Sequence, residues 1–187
     1  MIEIIAECLL EGTTPLQFGK YAGNATKPFE EWEQTHWQDR AHYDSDGNVI
    51  IPPEMFSNSI KGAAGYMSKK VPGERNKTFK KKFDAAIMVV DPLVLPMKKD
   101  GLRPNWLYVP ADGKVGGSTR VYRCFPVVDK WQGTVRYNIF DEVITRDVFI
   151  EHLKTSGMFI GIGMFRPERR GWFGRFSVKN VNWLVKK

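Results

Sequence analysis

The sequence predicts an α+β fold built on a βαββαβ core, the split βαβ or ferredoxin-like arrangement, with extra β-hairpins and a basic insertion. Three observations predict it. Short runs rich in β-branched and aromatic residues alternate with two stretches whose apolar residues recur at helical spacing. The main segments follow the order strand, helix, strand, strand, helix, strand. The chain has 187 residues, 42% of them hydrophobic, which suits one core and one domain over 1–187.

Residues 2–10 open the chain as a strand that Gly12 closes. Residues 11–21 are a turn-rich exit carrying Leu16, Phe18 and Gly19. Loop 20–50 is an elaboration on the core. Its part from 24 to 48 holds Trp32, Trp37, Tyr43, two histidines and several carboxylates without a sustained period, and Asp44-Ser-Asp-Gly47 signals a turn. Pro52-Pro53 starts a helix over about 54–70. Phe56, Ile60, Ala63, Ala64 and Met67 form its apolar face, with Asn58 and Lys61 on the other.

Residues 85–95 are a continuous apolar run, expected to be one buried strand. Residues 106–109 are a short strand and 113–117 a turn. Residues 119–128 and 134–140 are expected to pair as a hairpin through 129–133. In the second of these, Val135, Tyr137 and Ile139 alternate with polar residues, the pattern of a half-buried strand. Thr145 caps a second helix with the stripe Val148, Phe149 and Leu153, and Gly157 stops it. Strands over 158–162 and 172–183 flank the loop between them.

That loop concentrates glycine and arginine. Gly161 and Gly163 close one apolar run, Gly171 and Gly174 open the next, and Arg166, Arg169 and Arg170 lie between, with Arg175 just after. Glycine permits positive φ and close approach of another backbone. Arginine offers forked donors that match phosphate oxygens. The formal charge of +7 is equally uneven. Segment 69–82 holds Lys69, Lys70, Arg75, Lys77, Lys80, Lys81 and Lys82 against the single acid Glu74. Such an excess attracts polyanions and makes binding salt-sensitive. Val71-Pro-Gly73 suggests a flexible loop, and the basic insertion is taken as 69–84. Lys61, Arg120 and Arg123 complete the candidate phosphate contacts. Tyr122, Trp131 and Trp172 lie near arginines and are candidate stacking residues.

Several function classes find no footing. Residues 1–10 carry Glu3 and Glu7 and lack the basic start of a signal peptide, and no run is long enough to span a bilayer. Cys8 and Cys124 make neither a disulfide framework nor a zinc site, so reduced core thiols in a cytoplasmic protein are expected. There is no Walker loop, zinc pattern or nucleophile elbow, and Asp44-Ser-Asp-Gly47 lacks the later ligands of a calcium loop. No metal, cofactor or membrane partner is expected.

Three segments in order resemble the RAMP superfamily, the repeat-associated proteins of CRISPR effector complexes. Residues 4–19, ending Thr14-Pro-Leu-Gln-Phe-Gly19, resemble the first strand and "L-x-I-G" turn of its backbone subunits. Ile51-Pro-Pro-Glu-Met-Phe-Ser-Asn-Ser-Ile-Lys-Gly62 resembles the "I-P-G-S-S-L-K-G" lead into their first helix, with an insertion after the proline. Residues 161–174 resemble the carboxy-terminal glycine loop. The resemblance implies a ferredoxin-like (RNA-recognition-like) core that grips single-stranded RNA, in copies set side by side along the strand. A phage or mobile-element relative with another strand partner, single-stranded DNA included, fits the same residues. Some RAMP proteins cut RNA with a histidine near the first helix or an aspartate in the preceding loop. The matching positions are His36, His42 and Asp39, while His152 reads as structural. The expectation is a non-catalytic strand-binding subunit, homo-oligomeric or part of a ribonucleoprotein. An endoribonuclease of the same fold is the second reading, and a basic structural protein the third.

Overall fold

The computed structural model describes residues 3–23, 29–111 and 117–186. In chain order its elements are β1 (Glu3–Gly12), β2 (Leu16–Gln17), α1 (Phe29–His36), β3 (Asn48–Ile51), α2 (Pro53–Met67), α3 (Lys80–Ala86), β4 (Ile87–Val89), β5 (Leu93–Lys98), β6 (Arg103–Pro110), β7 (Arg120–Val128), β8 (Gln132–Ile139), α4 (Arg146–Thr155) and β9 (Phe176–Lys186). The fold is α+β, as expected. Among the described residues the strands form three sheets, ordered β4-β8-β1-β9, β2-β7-β6 and β3-β5, and every pairing is antiparallel. No described helix is long and apolar enough to cross a membrane.

β1 sits inside the four-stranded sheet because alternate side chains along it are apolar. Ile4, Ala6, Cys8 and Leu10 point to one face, where they join Phe56, Ile60 and Ala64 of α2 and Phe149 and Leu153 of α4 in one core. Tyr137 of β8 meets Phe149 edge-on there, with ring centroids 5.3 Å apart. α2 begins with proline at its first position, where no N–H is needed, and ends at Ser68 in the left-handed region. α4 is capped as expected: the Thr145 hydroxyl accepts the Val148 N–H at 3.4 Å.

Five expectations are corrected. The run 85–95 is not one strand. Ala85 and Ala86 finish α3, β4 follows, and β5 leaves to pair with β3 in a different sheet. Pro92 lies in the break; it has no N–H for a ladder. The strands 119–128 and 134–140 exist but do not pair. β7 pairs with β6, and β8 with β1 and β4, so the two share a connection but not a sheet.

Gly157 does not stop the second helix. α4 runs on through a π-helical turn, Ser156–Ile160, and ends at Gly161, so 158–162 is not a strand. Gly157 is required instead because the Phe176 carbonyl lies 2.1 Å from where a Cβ would stand. The last strand accordingly starts at Phe176, leaving 172–175 in the loop.

Segment 24–48 also holds structure that its polar composition hid. A buried ion pair between Glu33 and Arg40 ties α1 to the following 3-10 turn, Trp37–Arg40, and both lie against β7. The second Glu33 oxygen accepts the Cys124 N–H at 3.2 Å. The Asp44–Gly47 turn is as expected: Asp44 Oδ1 accepts the Asp46 and Asn48 N–H groups. The turn expected over 113–117 falls, except for Gly117, outside the described residues.

Candidate nucleic-acid interface

The glycine loop is a tight return anchored on the β1–β2 turn. Ile162 N–H donates to the Gly174 carbonyl at 3.0 Å, and Phe173 N–H to the Phe165 carbonyl at 3.2 Å. Gly174 N–H reaches Pro15 at 2.8 Å and Met164 N–H reaches Gln17 at 2.8 Å. The return is so close that a Cβ on Gly174 would stand 1.8 Å from the Ile162 carbonyl, and one on Gly171 would stand 1.7 Å from the Phe165 carbonyl. Gly174 also has φ of +70°, a region L side chains rarely adopt. The backbone these glycines admit is thus the protein's own. Phe165 and Arg170 hold φ of 53° and 63° without glycine's freedom, which is local strain in the same loop.

A cleft of about 380 Å³ opens beside this loop. One wall is Gly19 and Lys20, a second is the first turns of α2 with Glu54, Met55, Asn58 and Ser59, and the third is 160–164 with Arg166 and Glu168. The three segments that carry the family resemblance therefore meet at one place. His42 lines the cleft as well. Burial holds its pKa below the ordinary 6.5, helped by Lys20 and opposed by Glu54. Its imidazole is neutral at pH 7.

The arginines divide into two kinds. Arg166 is committed to the loop. Its Nε and Nη2 donate to Glu168 at 3.0 and 2.7 Å, and its Nη1 donates to the Gly163 carbonyl at 3.1 Å. Arg169 and Arg170 are exposed at the tip. Arg175 donates Nε–H to the Met158 carbonyl at 3.1 Å. Gly161 and Gly163 share the positive φ of the loop, at 72° and 77°.

The basic segment is folded, not a free loop. Lys70 bridges Thr78 through the backbone, Val71 and Phe79 are buried, and α3 takes over at Lys80. Several cations are paired: Lys69 with Glu151, Lys77 with Glu74, Lys80 with Asp84, and Lys82 with Glu74 and Asp141. Lys70, Arg75 and Lys81 are the exposed ones outside those pairs among the described residues. Lys61 is half-buried on α2. Arg120 is exposed at the start of β7, and Arg123 Nη2 donates to the Ala111 carbonyl at 3.3 Å.

Of the stacking candidates, Trp131 is corrected. It is buried between Phe56 and Phe176, with its ring against Gly12, so neither of its faces is open. Tyr122 stays exposed and lies 4.9 Å from Tyr108 across the β6–β7 ladder. Trp172 is half exposed at the loop tip, against Phe173. The sequence reading missed Tyr66 and Phe159, which are exposed and stacked at 5.4 Å. The signal for Tyr66 was its place one face along α2 from Asn58 and Gly62; for Phe159 it was hidden, because 158–162 looked like buried strand.

The second-reading catalytic residues are held by different partners. His36 stacks on Trp32 in α1, Asp39 pairs with Lys99 at 2.8 Å, and His42 alone of the three lines the cleft. His152 is buried against Phe83 and Phe79. Among the described residues no cluster of His, Cys, Asp and Glu has the makings of a metal site.

No family model matches the chain, and no curated protein does. Among solved structures, a chain of the Type III-B Cmr-beta bound to cognate target RNA is similar, with a TM-score of 0.51 and 12% identity. At that identity the likeness is one of fold. It covers 97% of this chain and 61% of that one, so this chain spans about three fifths of its relative's length. The α+β architecture is the one expected from the sequence.

Proposed function

We propose that this chain is a RAMP-type subunit that holds single-stranded nucleic acid, RNA by preference, in the cleft between Gly19–Lys20, α2 and the glycine loop, without cutting it. The observation that carries the reading is the convergence of residues 19–20, 54–59 and 160–168 on one cleft. The sheet order supports it. With α2 after β1 and α4 after β8, β4-β8-β1-β9 is the second, third, first and fourth strand of a βαββαβ unit, and we read the core as ferredoxin-like. A fold relative that belongs to a complex bound to target RNA adds support. Lys20, Arg169 and Arg170 supply phosphate contacts at the cleft, and Lys70, Arg75 and Lys81 supply a second basic surface. Copies set side by side along one strand, in a ribonucleoprotein, complete the proposal.

His42 favours one further reading, endoribonuclease activity. A neutral imidazole at the edge of a strand-binding cleft is placed to accept a proton from a ribose hydroxyl. Incubation with labelled RNA oligonucleotides, with and without magnesium and across a salt series, separates the readings. The binding proposal expects intact RNA, affinity falling steeply with salt, and larger particles on longer strands. Discrete products abolished by His42→Ala would replace it with the nuclease reading. Absence of binding at low salt would leave a basic structural protein.

A further inference from the structure

Asn58 and Ser59 are the last residues of α2 that line the cleft. Asn58, Gly62 and Tyr66 are four residues apart on α2 and so lie in one row along its surface. Gly62 packs closely against Ile160 and Glu168, which line the cleft: a Cβ there would stand 3.1 Å from Ile160 Cγ2 and 3.6 Å from Glu168 Oε1. The row runs about 12 Å, at 1.5 Å per residue, from the cleft to Tyr66. There it meets Phe159 of the π-helical turn. The two rings stack with centroids 5.4 Å apart and planes 18° from parallel. Tyr66 is 63% exposed and Phe159 47%, so this stacked pair is not a core contact. A π-helical turn is an uncommon element that recurs at functional sites, and here it is what turns Phe159 outward. Next to Phe159 in sequence, the Met158 carbonyl accepts the Arg175 Nε–H at 3.1 Å.

We infer that Tyr66 and Phe159 form a base-stacking subsite for an unpaired nucleotide of the strand seated in the cleft. The inference rests on the strand-binding reading above and deepens it. An open aromatic face takes any base, because every base has a π-face. Phe159 adjoins Ile160, which lines the cleft, and the Arg175 bond to the Met158 carbonyl brings a guanidinium to the neighbouring residue; together they argue for a nucleotide as occupant, with the base on the rings. The subsite confers affinity without sequence preference.

The test compares an ordinary RNA oligonucleotide with one of the same length made wholly of abasic ribose-phosphate units. Tyr66→Ala and Phe159→Ala are expected to weaken binding of the ordinary strand by between about fivefold and hundredfold, the range that stacking of one base supplies. They leave binding of the abasic strand unchanged, and Tyr66→Phe restores full affinity. Photo-crosslinking of 5-iodouridine RNA to the unsubstituted protein is read alongside, so that a variant that fails to fold does not remove the test. Crosslinks at Tyr66 or Phe159 support the subsite. Unchanged affinity, an equal loss on the abasic strand, or crosslinks only elsewhere overturn it. Failure of the unsubstituted protein to bind either strand overturns the strand-binding reading with it. Self-association lost in Tyr66→Ala with RNA affinity intact would make the pair a contact between copies and overturn the subsite.

Discussion

The two sides of the four-stranded sheet are built for different work. RNA-recognition sheets stack bases on aromatic rings that project from their central strands. Here the middle of the open face carries Glu7 and Leu9 of β1 beside Thr134, Arg136 and Asn138 of β8, with no ring among them. Two of its acids are engaged within the sheet: Asn182 Nδ2 donates to Glu7 at 3.1 Å, and Lys179 pairs with Glu11 at 2.6 Å. The helix side carries instead a cleft beside a strained glycine loop; two arginines and Trp172 are exposed on that loop, and Tyr66 and Phe159 on α2 and the π-helical turn. On the proposed reading the ligand sits at the loop and not on the sheet, so function follows the site and not the fold.

The largest effect that would break this contrast is at Gly174. Gly174→Val combines a φ of +70° with a contact of 1.8 Å to backbone. It is expected to destabilise the protein on the order of 3 kcal/mol or more and to abolish strand binding together with it. Thermal melts and fluorescence anisotropy check both; a variant with unchanged melting would show that the return is not held by that close approach.

Next come the tip arginines. Arg169→Ala and Arg170→Ala are each expected to lower the slope of log affinity against log salt by about one, with stability within about 0.5 kcal/mol of the parent. Retention of the full slope in the double variant would remove them from the interface.

A smaller effect separates a buried histidine from the surface ones. Burial lowers the pKa of His152 below 6.5, and its bond to the Val148 carbonyl only partly opposes this. The unfolded chain therefore takes up this proton first as the pH falls. Its contribution to stability is complete above the ordinary value of 6.5 and is lost as the pH drops through the lower folded value. Melting temperature measured from about pH 8 to about pH 5 should fall, and less steeply in His152→Gln, once the two curves are aligned at the alkaline end. Parallel curves would assign the acid limb to His42 or to the carboxylates. The smallest expected effect is none: Arg136→Ala, on the open sheet face, should bind RNA as the parent does, and a loss there would transfer the site to the sheet.

Much of this was legible in the sequence because the signals were local. β1, α2, α4 and β8 announced themselves through alternation, helical spacing and the Thr145 cap. The three motif segments were also visible, but their meeting was not, since it depends on hydrogen bonds such as Gly174 to Pro15 that span most of the chain. Pairing partners failed for the same reason: β7 and β8 are neighbours in sequence and belong to different sheets. Segment 69–82 looked like a mobile basic loop because composition does not show Glu151 and Asp141 arriving from elsewhere to pair with it. Trp131 looked available for stacking because proximity in sequence to arginine says nothing of the Gly12 backbone that covers its ring.

The most direct measurement is a map of amide chemical-shift changes on adding a short uridine oligonucleotide to the isotopically labelled protein. A strand in the cleft is expected to move resonances of residues 19–20, 54–66 and 158–175, while those of Glu7, Leu9, Thr134 and Arg136 stay in place. Changes concentrated on β1 and β8, with the glycine loop and α2 silent, would contradict the placement of the strand.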